Sequence, residues 1–163
     1  MAVCFELVVN FGGDVAAARA AAGIEPWPFT LPSGDHRIPL HRPVLSVTDG
    51  SAWLSVLPAA VGYGVAMDGS LPRFELTEAE LAELGGGLYG LLARFEGYLA
   101  AMVGWDPEPL LDVDDLAADW AGELADGALP GLVLAEHLRT RLPLGPEWVP
   151  FRPGHVWLPY GSR

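Results

Sequence analysis

The stretch VLSVTDGSAWLSVL, running from Val44 to Leu57, decides the fold class. Two runs rich in β-branched and aromatic residues flank Asp49-Gly50, a pair that adopts the positive φ angles of a type I′ hairpin turn at little cost. The pattern recurs downstream, where Gly62–Met67 and Ser70–Leu76 flank Asp68-Gly69. Upstream, Val3, Phe5, Leu7, Val9 and Phe11 alternate with Cys4, Glu6, Val8 and Asn10, the period of a strand with one wholly apolar face. Together these predict a four-stranded meander with the N-terminal strand as a fifth. Between them, Asp14 is placed to cap a short alanine-rich helix, Val15 to Ala22, that Gly23 ends. Pro26, Pro28, Pro32, Pro39 and Pro43 exclude a helix over 24–43, which reads as a long surface loop held by Trp27 and Phe29.

After Leu76 the period changes. Thr77 followed by Glu80 forms a capping box, and Leu81, Leu84, Leu88, Leu91, Phe95, Tyr98 and Met102 recur at steps of three and four. That spacing predicts one helix from Glu78 to about Val103. A second stripe, including Gly86, Gly90 and Gly97, falls on the opposite side of such a helix. Helical glycine costs about 0.8–1.0 kcal/mol against alanine, so this stripe is expected to lie under a close neighbour, either in the chain or across a homodimer. Further helices are expected over Val113–Ala125 and from Pro130 to Arg141. The tail 143–163, rich in proline and aromatic residues, reads as an extended strap.

Strands followed by helices imply an α+β fold: a mostly antiparallel sheet of four to six strands, with three main helices from the C-terminal half packed on one face. One domain over 1–163 is expected, with strands and the proline-rich loop in 1–76, helices in 77–142 and the strap after them.

The 163 residues carry 21 acids against 9 bases, a formal charge of −12. That balance disfavours a protein that neutralises nucleic-acid phosphates. All nine bases are arginine, with no lysine or glutamine, which together with abundant Ala, Gly and Pro points to a GC-rich, bacterial coding bias. A lone Cys4 excludes an internal disulfide, and Met1–Val9 lacks the basic start of a secretory signal. Gly50–Met67 is uncharged for 18 residues, but Pro58, Gly62 and Gly64 interrupt it and suit buried strands better than a membrane span. A cytoplasmic chain that engages no membrane and no cofactor is the expectation.

Two stretches are chemically rich. Between Arg94 and Arg139 stand ten acids and no base, and Asp112, Asp115, Asp119, Glu123 and Asp126 fall at helical spacing as an acidic ridge. Such a ridge either solvates an apolar protein or docks a basic protein partner. As a calcium loop it fails, because Leu116 and Ala117 occupy positions that need a ligand and a glycine, and no metal is expected. The second stretch, Ser33 to Arg42, holds Asp35, His36 and His41 as catalytic candidates, with Arg37 and Arg42 suited to an anion or substrate. Adjacency in sequence does not make a triad, whose base must be oriented in space by a third group. No nucleophile elbow, phosphate loop or zinc-protease motif is present. The expected function is therefore a small acidic binding protein, of the inhibitor or immunity type, acting through the ridge. The alternative is a small hydrolase or transferase using loop 33–42.

Overall fold

Strand β1 (Val3–Gly12) is the centre of the molecule, and its alternation sorts the whole structure into two layers of core. Phe5, Leu7, Val9 and Phe11 are all buried on one side, while Val8 and Asn10 are buried on the other. The computed structural model describes residues 3–63 and 73–160. Along the chain follow α1 (Val15–Ala22), β2 (Thr30–Ser33), β3 (His36–Pro39), β4 (Val44–Thr48), β5 (Ser51–Val56) and the short β6 (Gly62–Tyr63). The second half contributes α2 (Glu78–Leu92), β7 (Ala100–Trp105), α3 (Val113–Asp119), α4 (Ala121–Ala125), β8 (Val133–Ala135), β9 (Val149–Arg152) and β10 (His155–Trp157).

The fold is α+β. Seven strands run in the order β4-β5-β1-β7-β8-β10-β9, every neighbouring pair antiparallel, and β6 joins the first residues of β1. A separate hairpin pairs β2 with β3. One sheet face packs on α1, α2 and Ile38 of the hairpin. The other carries Val8, Ala100 and Leu134 against Leu111, Leu116 and Leu124 from the α3–α4 segment. Helices therefore cover both faces, not one as expected, because the second face, although it carries Glu6 and Asn10, also presents Val8, Ala100, Leu134 and Val156, which must be taken out of water.

The early elements follow their local signals. Asp49 and Gly50 have φ of +50° and +78°, as a type I′ turn requires. The Asp14 side chain accepts from Ala17 N at 3.0 Å at the start of α1. Thr77 and Glu80 close a reciprocal capping box, at 2.8 and 3.2 Å. The Asp68-Gly69 turn itself lies outside the described residues; of the strands expected to flank it, Gly62–Tyr63 is strand β6, whereas 73–76 form no strand.

The later elements depart from expectation, and the strand count rises with each departure. The long helix stops at Leu92, and Ala100–Trp105 is instead β7, paired with β1 from Phe5↔Trp105 to Asn10↔Ala100. Gly97 makes the reversal, at φ +79° and with Ala17 Cβ only 2.9 Å from where its own Cβ would stand. Leu84, Leu88 and Leu91 are buried as the stripe predicts, but Gly86 and Gly90 are exposed with nothing within 4 Å of an added Cβ. Gly97 thus leaves the helix face that Gly86 and Gly90 share, and among the described residues of this chain nothing covers those two. The helix expected over Pro130–Arg141 is β8 followed by a 3-10 turn, Glu136–Thr140, although Leu134, Leu138 and Leu142 are all buried. The segment 77–142 is therefore not purely helical. The tail is not a strap but the β9–β10 hairpin, which completes the sheet. The loop 24–43 contains the β2–β3 hairpin, docked on α2 by Ser33 Oγ to Glu80 O (2.8 Å) and Gly34 N to Glu83 Oε2 (2.7 Å).

Candidate functional site

On the second sheet face, α3 and α4 cover the β7, β8 and β10 side and leave the β4–β5–β1 side open. The space between forms a cleft of about 650 Å³. Its floor is set by strand alternation: Ser46 and Thr48 of β4, Ser51, Trp53 and Ser55 of β5, and Val8 and Asn10 of β1. Opposite stand Glu108, Asp112 and Asp114, with Arg141 and, at the hairpin tip, Asp49. A half-buried indole among hydroxyls, walled by carboxylates, offers stacking, hydrogen bonds and negative charge to an occupant.

Asn10 fixes the wall to the floor. Its Nδ2 donates to Leu111 O at 2.8 Å, and its Oδ1 accepts from Gly12 N at 2.8 Å, so a buried amide ties the turn before α3 to β1. Asp112 then caps α3, accepting from Asp114 N (2.9 Å) and Asp115 N (3.0 Å). Asp114 pairs with Arg141 at 2.8 Å, both well exposed. The expected single helix breaks at Trp120 into α3 and α4, yet Asp115, Asp119, Glu123 and Asp126 all remain exposed, and none has an ion pair among the described residues. Of the five ridge residues, Asp112 alone has a structural bond to the helix it begins.

The loop candidates are dispersed. His36 rests edge-on against Phe74, with Nε2 4.0 Å from Glu80 Oε1. His41 lies beyond β3, is exposed, and its backbone N donates to Leu57 O. His36 opens β3 and His41 lies two residues beyond its end. Asp35, Arg37 and Arg42 are exposed. Neither histidine lines this cleft, nor a second one of about 610 Å³ between α2 and β7 beside Phe5, Tyr89, Trp105 and Tyr160.

Glu6 escaped sequence reasoning. Its carboxyl is pushed up to about 7, first by burial and then by Asp106, with a hydrogen bond to Ser55 acting the other way and Glu108 adding to the rise. The signal was available, since Glu6 is the one ionisable carboxylate of this strand, on the same face as Val8 and Asn10. What the sequence withheld was the folding back of Asp106 and Glu108, whose side chains come from the far end of β7. Asp106 itself is held there by Cys4, whose N donates to Asp106 Oδ1 at 2.9 Å.

Among the described residues no group of three or more His, Cys, Asp or Glu could hold a metal ion, and no helix is long and apolar enough to cross a membrane. No protein-family model, curated protein or solved structure matches the chain.

Proposed function

We propose that this chain is a small cytoplasmic binding protein, of the inhibitor or immunity type, that captures a basic protein partner. The acidic surface involved starts at the cleft wall with Glu108, Asp112 and Asp114 and follows α3 and α4 through Asp115, Asp119, Glu123 and Asp126. One observation carries the proposal: Asp115, Asp119, Glu123 and Asp126 are exposed and without ion pairs among the described residues, beside a cleft holding four acids against one arginine. Unneutralised carboxylates on one face cost the isolated protein a few tenths of a kcal/mol per neighbouring pair, and a cationic partner would relieve that repulsion and be steered to it. The alternative enzyme on loop 33–42 draws no support from two histidines at and beyond the two ends of β3, neither of which lines the cleft.

The test is neutralisation. A partner is first isolated by affinity capture and its affinity measured against salt. Asp115→Asn, Asp119→Asn and Glu123→Gln together should then weaken binding by about tenfold or more and flatten the salt dependence. Unchanged affinity in the triple variant would refute docking on this surface and leave the ridge a solvated face.

A further inference from the structure

We infer that the β4 edge of the sheet is a docking edge, and that it accepts an extended Lys/Arg-rich segment of the partner as an added strand. The inference rests on the capture proposed above and gives it a mode and a chemistry. β4 pairs with β5 in unbroken register from Val44↔Ser55 to Thr48↔Ser51, and among the described residues no strand pairs its other side. An uncovered edge is a template for another chain, and proteins blunt it with proline, charge or a bulge. The far edge of this sheet carries those devices: β9 contains Pro150 and Arg152, and its register with β10 shifts. β4 carries none. Its five residues include no proline and no charged side chain, and Val44 and Val47 are 56% and 50% exposed.

Charge selects the occupant. Val44, Ser46 and Thr48 line the cleft together with Asp49, Glu108, Asp112, Asp114 and Arg141, so four carboxylates face one guanidinium, a net −3. A strand added outside β4 continues the sheet, and alternate side chains necessarily fall on that cleft face. Basic residues at those positions meet the carboxylates. The intervening residues fall on the opposite face, where small or β-branched side chains continue the pattern of Leu45 and Val47. A second copy of this chain brings another net −12 to a surface already negative, so the basic partner segment is the favoured occupant.

Three peptides distinguish the outcomes when titrated at low salt into the isotopically labelled full chain. The first has four Lys-Thr repeats, the second is the same peptide with every backbone amide methylated, and the third has four Glu-Thr repeats. The unmodified basic peptide should bind about tenfold or more tightly than its methylated twin and shift the amide resonances of Val44–Thr48, and the acidic peptide should do neither. Equal binding of both basic peptides, with shifts confined to Asp112–Asp126, overturns strand addition and leaves capture on the acidic surface standing. If neither basic peptide binds better than the acidic one, both proposals fall. Concentration-dependent dimerisation that shifts Val44–Thr48 without peptide assigns the edge to a second copy and overturns the inference.

Discussion

Gly86 stands in mid-helix, exposed, with nothing within 4 Å of the position a Cβ would take. Glycine there contributes no close approach and no unusual φ; it only enlarges the conformational freedom of the unfolded chain. Gly86→Ala is therefore expected to stabilise the protein by about 0.5–1 kcal/mol, visible as a higher denaturant midpoint at unchanged slope. A loss of stability would mean that something covers this face in solution. Gly97 is the opposite case. Its left-handed φ and the Ala17 methyl beside it leave no room for a side chain. The two are indistinguishable in sequence, where spacing alone places both on one stripe. Only the chain reversal, which brings α1 against Gly97, separates a required glycine from a dispensable one.

At the scale of elements, what was legible was whatever local chemistry fixes. The Asp49-Gly50 turn, the Asp14 cap and the Thr77–Glu80 box each satisfy their own backbone groups within four residues. Each stands where its sequence puts it. The misread elements are those whose conformation depends on a distant partner. Ala100-Ala101-Met102-Val103 has helical propensity and continues a helical period, but it forms the strand beside β1, because pairing there buries Ala101 and Val103 and satisfies β1's second edge. Leu134 and Leu138 were recognisable as core, though not as strand and 3-10 turn, since a short apolar run does not declare its period. The cleft was hidden for the same reason: its floor comes from β1, β4 and β5 and its wall from a segment some sixty to a hundred residues away. Asn10 shows how the two are joined. Asn10→Leu fills similar volume but leaves the buried Leu111 carbonyl without its donor. The expected cost is about 1–3 kcal/mol, and the turn before α3 should lose hydrogen-exchange protection ahead of the rest of the molecule. Uniform loss of protection across sheet and helix alike would show that Asn10 does not specifically hold the wall.

For the whole molecule, excess negative charge is the dominant electrostatic fact, and Glu6 reports it from inside. Its carboxyl is held at about 7, against an ordinary value of 4.5, by burial, Asp106 and Glu108. Below pH 4.5 the group is protonated in folded and unfolded chains alike and costs nothing. Between 4.5 and 7 the unfolded chain has released the proton while the folded chain keeps it, so each step up in pH favours unfolding. Above 7 both states are ionised and the loss is complete. His155 works in the opposite sense: burial lowers its pKa, so protonation of the unfolded chain below about 6.5 draws stability away as pH falls. The two effects overlap below about 6.5, so a single pH–stability curve combines them. A difference experiment separates them, because Glu6→Gln leaves His155 in place. The melting temperature of Glu6→Gln minus that of the natural sequence should increase steadily from pH 4.5 to 7 and then level off. A difference that stays constant over that range would show that Glu6 keeps an ordinary carboxylate pKa, and that Asp106 and Glu108 exert no appreciable field on it.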